Sequence, residues 1–337
     1  TLRGVVRQVS ASRDALIRVD PITHTLAGAT MARAGLDQRT PLAAATLMLA
    51  ANAPDIDIAA AFAGQNSALA WRRGWPHGPL AWLLLPFVVA GIMMAWDRWV
   101  RRRRTPDADP APVRALLLLA TIGVLSHPML DWLNTYGIRL LMPFSGRWFR
   151  GDSDFIIDPF LWSVFAVGLL GARVFRPDVA RGRRIVRSFG GAAIAYVALM
   201  ITLSALGERL ARSVAESRGL RGIEEVLYSP QPGNPLGADL VVRTVGGYHF
   251  GTLRWLSTPR VTFDETMVAL GDWNSRAVER ARAIPAARKY LVWSQFPYVR
   301  VESNGTDTTV FFGDARYRGA LAGGLSGMQV HLRPGTP

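Results

Sequence analysis

The sequence has no cysteine among its 337 residues. This absence excludes disulfide bonds, thiolate nucleophiles and zinc sites built on cysteine, so any bound metal must be held by histidine, carboxylate or backbone oxygen. Histidine is also scarce, with five residues, and lysine occurs once, at Lys289. Function must therefore be sought in the placement of a few histidines and acidic residues.

The chain is strongly basic, but its arginines do not predict a nucleic-acid surface. It carries 39 basic against 25 acidic residues, a formal net charge of +14. Many of the arginines lie in two loops between apolar segments, at 98–104 and 173–187, rather than along one binding face. We expect no nucleic-acid partner.

Long apolar segments predict a membrane protein instead. Half of the residues are hydrophobic. Segments 79–96, 115–130 and 188–207 are long and uncharged enough to predict membrane-spanning helices, and 155–172 is apolar except for Asp158. Two shorter apolar segments, 22–34 and 41–54, predict a helical hairpin that turns at 36–40.

The arginine-rich loops predict how these helices are oriented. Loops rich in Lys and Arg stay in the cytoplasm, so the opposite ends of the helices should lie at the outer face of a bacterial cytoplasmic (inner) membrane. The region after the last span should then be extracytoplasmic. The same topology places the first 20 residues outside, although their arginines resist translocation, so we expect a basic N-terminal tail that is not native and a natural start near Val19.

The composition changes after residue 207. Strand-like runs occur at 240–242, 298–301 and 309–312, and Asn304-Gly305 within 303–306 predicts a tight hairpin. We expect a helix at 264–284 and a stiff linker or lip at 228–235. The predicted fold is mainly α: a polytopic transmembrane helical bundle at 21–210 with the short N-terminal hairpin, then a small soluble α+β domain at 215–337.

Polar residues recur at the predicted outer ends of the helices. His127 and Asp131 stand four residues apart, which places them on one helix face. An ionisable group inside a span costs roughly 2.5 to 3.5 kcal/mol, so each needs a partner. A divalent cation would neutralise carboxylates and accept imidazole nitrogens; zinc suits this ligand set best, with Mn²⁺ or Fe²⁺ as alternatives. The predicted metal ligands are His24, Asp55, Asp57, His77, His127 and Asp131.

Each of these residues also has a structural explanation. His127 and Asp131 could form a hydrogen-bonded pair between helices, and Asp158 before Pro159 fits a helix N-cap. The others suit a helix-ending turn, an interfacial position beside tryptophans, or a first helical turn: Asp55 and Asp57, His77, and His24, in that order. A metal site is favoured because all of these residues are predicted at one membrane face.

Four blocks of sequence resemble a known family. DPITHTLAGA, APDIDI, RRGWPHGPLAW and SHPMLDWLNTYGIRLLMPFSGRWFRGDSDFIIDPFLW resemble, in the same order, inner-membrane metal-dependent hydrolases of the YdjM type. That family is similar to the zinc-dependent phospholipase C and single-strand nuclease group, whose helical folds hold several zinc ions. The resemblance implies His24, Asp55, His77, His127 and Asp131 as metal ligands, with Asp57 as a further one.

One block departs from the family pattern. Many members carry His-Arg-Gly-x-Thr-His-Ser where this chain has Arg-Arg-Gly-Trp-Pro-His-Gly at 72–78. Arg72 thus replaces a histidine, while the central histidine is kept as His77. An additional ligand is lost, and Arg72 or Arg73 becomes available for an anionic substrate, because guanidinium matches phosphate.

These observations together predict a membrane-bound metal-dependent hydrolase. Its substrate would be an anionic phosphoester on a lipid or lipid-linked molecule. Asp55 or Asp57 would accept a proton and Arg73 would bind the phosphate, and Asp158 is added to the predicted catalytic residues. Two alternatives remain at this point: a metal- or proton-coupled transporter, and a membrane docking protein with a structural metal.

Overall fold

The computed structural model describes residues 5–8, 20–304, 307–317 and 327–332. The chain forms two compact units. The helical unit consists of Val19–Asp57 and Arg73–Leu203, and the sheet unit of Thr1–Arg18, Ile58–Arg72 and Ser204–Pro337. The chain therefore leaves the helical unit after Asp57 and returns to it at Arg73.

The described residues form ten α-helices. They are α1 (Pro21–Arg33), α2 (Ala43–Asn52), α3 (Gln65–Trp71), α4 (Pro79–Trp96), α5 (Arg102–Arg104), α6 (Val113–Trp132), α7 (Pro159–Val174), α8 (Val179–Ser217), α9 (Arg276–Ala283) and α10 (Pro285–Trp293). A π-helical turn, Asp97–Arg101, joins α4 to α5, so that the apolar helix extends over Pro79–Arg104.

Three of these helices are long and apolar enough to cross a membrane. They are Pro79–Arg104, Val113–Trp132 and Val179–Ser217, with mean hydropathies of 1.7 to 1.9 in their most apolar windows. They correspond to the three main predicted spans. The fourth predicted span is α7, an apolar helix of only 16 residues. The structure therefore confirms a mostly helical region with three helices that could span a membrane, and the polytopic bundle stays a prediction.

The predicted N-terminal hairpin is confirmed. α1 and α2 are joined by a 3-10 turn at Leu36–Arg39 and pack closely, since a Cβ added at Gly28 would lie 3.0 Å from the Leu47 backbone. α6 packs against α2 at Gly123, where an added Cβ would lie 2.5 Å from the Ala50 Cβ. Small residues thus allow the backbones of α2 and α6 to approach, and α6 also packs against α4.

The sheet unit contains two four-stranded antiparallel sheets. Their orders are β1-β8-β7-β6 and β2-β3-β4-β5. The strands are β1 (Val5–Gln8), β2 (Ile223–Gln231), β3 (Asn234–Thr244), β4 (Gly247–Arg254), β5 (Val261–Ala269), β6 (Pro297–Asn304), β7 (Asp307–Asp314) and β8 (Gly327–Leu332). The buried residues Leu227, Tyr248 and Phe296 form a core between the sheets, where the Tyr248 hydroxyl donates to the Pro297 carbonyl at 3.1 Å.

Several predictions for this region are confirmed. The runs at 240–242, 298–301 and 309–312 lie in β3, β6 and β7. β6 and β7 pair up to Asn304 and Asp307, as the predicted hairpin requires, while its turn residues 305–306 lie outside the described residues. Val5–Gln8 forms an edge strand beside β8, and the remainder of 1–19 lies outside the described residues.

Two local predictions were wrong. The predicted helix at 264–284 begins instead after Ser275, because residues up to Ala269 form β5 and find their hydrogen-bond partners in β4. The predicted linker at 228–235 is the β2–β3 hairpin, with Gly233 at φ +69° in its turn. Pro230 is accommodated there because β2 is an edge strand, where a missing N–H leaves no gap in the sheet.

Candidate metal centre

Four segments of the helical unit bring six of the predicted residues together. α6 supplies His127 and Asp131 from its last two turns, and α1 supplies His24 from its first turn. The other residues come from two 3-10 segments, one at Ala53–Ala63 and one at Trp75–His77: Asp55, Asp57 and His77. For His24 the local sequence fixes the position, because Asp20 caps α1 through the Thr23 N–H and Pro21 starts the helix.

Three side-chain atoms converge at the centre of this cluster. The Nε2 atoms of His77 and His127 lie 3.1 Å apart. The Oδ2 atom of Asp131 lies 3.4 Å from the first and 3.3 Å from the second. His77 and His127 are fully buried and Asp131 is nearly so. Two nitrogens and a carboxylate oxygen therefore meet away from solvent.

The outer nitrogen of the His127 imidazole indicates which tautomer this ring adopts. His127 Nδ1 lies 2.6 Å from the Ala51 carbonyl oxygen, which can only accept, so Nδ1 carries a hydrogen. An uncharged His127 then presents a lone pair at Nε2. His77 Nδ1 lies 3.5 Å from Asp57 Oδ2 without hydrogen-bond geometry, so the carboxylate acts on this ring through its charge. Burial lowers the pKa of the His77 imidazole, although Asp131 and Asp57 act in the opposite direction, and so favours the neutral ring.

This geometry fits a metal ion. Two nitrogen ligands of a tetrahedral zinc ion, each about 2.0 to 2.1 Å from it, lie roughly 3.3 Å from one another. The three separations in this cluster, 3.1 to 3.4 Å, match that spacing. Without a cation or a proton between them, the lone pairs would repel. Asp131 Oδ2 also accepts no hydrogen bond from any described residue, as expected of an oxygen reserved for a metal.

His24 and Asp55 border the same centre. The rings of His24 and His127 stack with centroids 3.9 Å apart, and His24 Nε2 lies 3.6 Å from Asp131 Oδ1. Asp55 Oδ1 lies 3.9 Å from His127 Nε2. His24, Asp55 and His127 thus form a second possible ligand group, and it shares His127 with the group of His77, His127 and Asp131.

Arg73 is buried under the cluster, with its guanidinium turned towards the protein. Its NH2 group lies 2.8 Å from Asp131 Oδ1. Its NH1 group donates to Asn134 Oδ1 at 2.7 Å and to the Asp131 and Gly137 carbonyls. The backbone of Arg73 has φ +48°, and its N–H donates to Asp57 Oδ2 at 2.6 Å. Arg73 therefore fixes the orientation of Asp131 and occupies one oxygen of Asp57.

Gly78 is required for the placement of His77. A Cβ added at Gly78 would lie 2.0 Å from the Met142 carbonyl oxygen. The loop after α6 thus passes directly over the turn that carries His77, at a distance that only glycine allows. Position 78 is also one of the places where the sequence departs from the family pattern. The close approach of the Met142 carbonyl explains why glycine stands there.

Asp158 is not part of the ligand cluster. It is the N-cap of α7, where Oδ1 accepts the N–H groups of Phe160 and Leu161, and Oδ2 accepts the Tyr196 hydroxyl at 2.6 Å. The N-cap expected from Asp158-Pro159 is thereby confirmed. These bonds use both carboxylate oxygens and give Asp158 a structural role, while its catalytic role stays a prediction.

Sequence reasoning missed a small polar cavity beside the cluster. It has a volume of about 20 Å³, room for one water molecule, and its lining includes His24, Asp131, Asp20 and Asp154. Burial and the neighbouring Asp158 raise the pKa of Asp154 to about 9, so this carboxyl is protonated at neutral pH. The sequence places Asp154 at the same predicted membrane face but not beside the cluster, where an irregular loop brings it into a β-bridge with Asn134.

Comparison with known proteins identifies the family. The model of the YdjM inner membrane protein family matches residues 19–210, more than half of the chain. Neither the curated proteins nor the solved structures contained a match to the chain. The matched region holds the whole cluster and all or most of the three long apolar helices, which agrees with a membrane protein. The chain belongs to the YdjM inner membrane protein family.

Proposed function

We propose that this protein is a membrane-embedded metal-dependent hydrolase that cleaves a phosphoester of a lipid or lipid-linked molecule. The observation that carries the proposal is the convergence of His77 Nε2, His127 Nε2 and Asp131 Oδ2 within 3.4 Å of one another. A bound divalent ion would supply a Lewis acid that activates water and neutralises charge on a phosphoryl group.

One ion fits these residues better than two. Both candidate ligand groups include His127, and its Nδ1 is used by the Ala51 carbonyl, so Nε2 is its single coordinating atom. We assign His77, His127 and Asp131 as the principal ligands, with His24 and Asp55 at the edge of the same site. Zinc suits two imidazoles and a carboxylate best.

The remaining residues divide into a proton acceptor and positioning groups. Among the three carboxylates the Asp55 side chain is the most exposed, at 13% against 6% for Asp131 and 0% for Asp57. Asp55 is therefore the carboxylate best placed to take a proton from a water molecule and release it to solvent. Asp57 positions His77, and Arg73 positions Asp131, in place of the proton-accepting and phosphate-binding roles that the sequence suggested for them.

The location of the cluster favours a lipid-borne substrate. His77 precedes Gly78, the N-cap residue of α4, and Asp131 lies at the end of α6, so the site is at the ends of two apolar helices. An apolar groove shares Leu130 and Leu161 with the small polar cavity beside His24. The positive-inside rule supports a periplasmic orientation of the end that carries His77 and Asp131. The reaction would then take place at the outer leaflet.

Metal-dependent turnover tests the proposal. The detergent-purified protein is freed of metal with a chelator, resupplied with Zn²⁺ or Mn²⁺, and assayed with nitrophenyl phosphate esters and phospholipid vesicles. We expect phosphate-ester hydrolysis that needs the ion and is lost in His127→Ala. The matched control is His249→Ala, which removes a histidine from β4 of the sheet unit and should retain activity.

Two results would overturn the proposal in different ways. Stoichiometric metal without hydrolysis of any ester, combined with unfolding on chelation, would indicate a structural metal. Hydrolysis that persists in His127→Ala would place the reaction at another site.

A further inference from the structure

The helical unit has a second notable region at the end opposite the metal cluster. α1 carries His24 in its first turn and Arg33 in its last, and α7 and α8 meet near the same end as Arg33. Two cavities open here, of about 220 and 540 Å³. Together their linings contain one aspartate, Asp37, and six arginines: Arg33, Arg39, Arg173, Arg176, Arg183 and Arg187.

The larger of the two cavities is continuous with an apolar groove. That groove has a volume of about 1050 Å³ and lies along α1, α6, α7 and α8. Met31, Ala34 and Arg187 line both the groove and the 540 Å³ cavity. Apart from Thr30 and Arg187, the groove is lined by apolar residues, tryptophan and glycine. A charged pocket therefore opens into an apolar channel, the arrangement that an amphipathic anion requires.

Arg187 is held at the junction. Its Nε donates to the Ala34 carbonyl at 2.7 Å, which fixes the guanidinium at the mouth of the groove. Guanidinium groups bind phosphate through paired N–H donors. The one acid in the two linings is already paired, because Asp37 lies 3.2 Å from Arg183 and 3.8 Å from Arg33. The electrostatic potential at the mouth is thus positive.

Two consecutive glycines shape the apolar part. Gly190 and Gly191 lie within α8, where each glycine costs about 1 kcal/mol of helix stability relative to alanine. A Cβ added at Gly191 would meet no atom within 4 Å, so this glycine is not needed for contact with another helix. At Gly123, by contrast, packing requires glycine. The open space beside Gly191 belongs to the groove.

The groove is long enough for a lipid chain. Its lining on α8 extends from Val186 to Ile201, roughly 22 Å along the helix. One leaflet of a bilayer has a hydrocarbon thickness of about 15 Å. The half next to Arg187 can therefore take an acyl chain of one leaflet, and the far half, next to Leu130, remains for the substrate end.

We propose that this groove binds one anionic phospholipid, with its phosphate at Arg187 and Arg39 and an acyl chain beside Gly190, Gly191 and Ile194. Basic pockets between membrane helices on the cytoplasmic side are suited to such headgroups. This site lies at the opposite end of the helical unit from the metal cluster, and lipid binding there does not depend on the proposed hydrolysis.

Native mass spectrometry of the delipidated protein in mild detergent tests this inference. The protein is titrated with phosphatidylglycerol and with phosphatidylcholine of identical acyl chains. We expect one phosphatidylglycerol to bind with preference. Arg187→Gln should lose at least about tenfold of that preference, the effect of one charge-assisted hydrogen bond. The matched control is Arg184→Gln, which removes an exposed arginine of the same helix that lines none of these cavities and should leave the preference unchanged.

A second pair of variants tests the apolar part. Gly191→Leu should fill the groove and weaken the binding of both lipids. Gly91→Leu, at an equally open glycine of α4, should leave the binding of both unchanged. Glycerol phosphate at millimolar concentration should not displace the lipid, because it lacks the acyl chain that contributes to binding.

Three outcomes would refute the inference. The first is equal binding of the two lipids by the unaltered protein, and the second is an equal effect of Arg187→Gln and Arg184→Gln. The third is a lipid-free dimer that Gly191→Leu converts to monomer, which would make the groove a contact between two copies of the chain.

Discussion

Replacing Asp57 by asparagine should weaken metal binding without removing the site. Asp57 Oδ2 lies 3.5 Å from His77 Nδ1 and accepts the Arg73 N–H at 2.6 Å. The asparagine amide oxygen can still accept from Arg73, so the local backbone is kept, but the negative charge that orients His77 is lost. Loss of such an outer carboxylate typically costs 10- to 100-fold in metal affinity, or about 1.4 to 2.7 kcal/mol.

The assay is competition between the purified protein and a chromophoric chelator for Zn²⁺. Asp57→Asn is compared with Asp37→Asn, which makes the same charge change at the other end of the helical unit and should leave affinity unaltered. Because Asp57 is expected to act through His77, Asp57→Asn should change the affinity of a His77→Ala variant by less than about twofold.

Two results would refute this reasoning. An unchanged affinity in Asp57→Asn would show that the carboxylate does not orient His77. A loss much greater than 100-fold, or one that adds fully to the effect of His77→Ala, would show that Asp57 is itself a ligand.

Two further predictions concern stability. Gly123→Ala should destabilise the protein by about 1 to 3 kcal/mol, because the added methyl would lie 2.5 Å from the Ala50 Cβ and force α2 and α6 apart, whereas Gly91→Ala, with open space around it, should be neutral or stabilising in thermal unfolding. Burial alone would raise the pKa of Asp314, but the charge and hydrogen bonds of Arg316, with the Ser294 hydroxyl, hold it below its usual value. The stability that Asp314 contributes is therefore present above about pH 4 and lost as the pH falls further. Asp314→Asn should lower the free energy of unfolding at neutral pH by about 3 to 5 kcal/mol, because the Arg316 guanidinium loses the negative charge of the buried carboxylate beside it. The variant should show a smaller additional loss between pH 5 and pH 3. An unchanged acid profile in that variant would contradict the assignment.

The sequence was sufficient to predict which residues meet at the cluster. His127 and Asp131 share a helix face by their spacing, and a common membrane level linked them to His24, Asp55 and His77. The structure agrees, since these residues lie within a few ångströms of one another. Their roles as ligands remain a prediction.

The direction of individual side chains could not be predicted in the same way. Arg73 was expected to face a substrate, but its backbone at φ +48° turns the guanidinium onto Asp131 and Asn134. No sequence rule gives a positive φ for arginine, because the conformation is imposed by surrounding contacts. Asp154 was predicted at the same membrane face but not beside the cluster, since a loop of irregular backbone, without a periodic pattern, brings it there.

The strands of the sheet unit illustrate a different difficulty. Pro230, Pro232 and Gly233 are typical of a linker, and their sequence context did not reveal that β2 is an edge strand that tolerates proline. Residues 264–269 have a composition compatible with helix or strand, and pairing with β4 decides between them. Position in the sheet, which depends on distant segments, overrides local preference in both cases.

Elemental analysis of the purified protein tests the central claim most directly. Protein extracted in mild detergent, without chelator or added metal, should contain about one divalent ion per chain, most readily zinc, and His127→Ala should lose it while His249→Ala retains it. Unaltered protein that holds no stoichiometric ion and takes up neither Zn²⁺ nor Mn²⁺ when they are added would contradict the account, and would assign the His77–His127 contact to a shared proton.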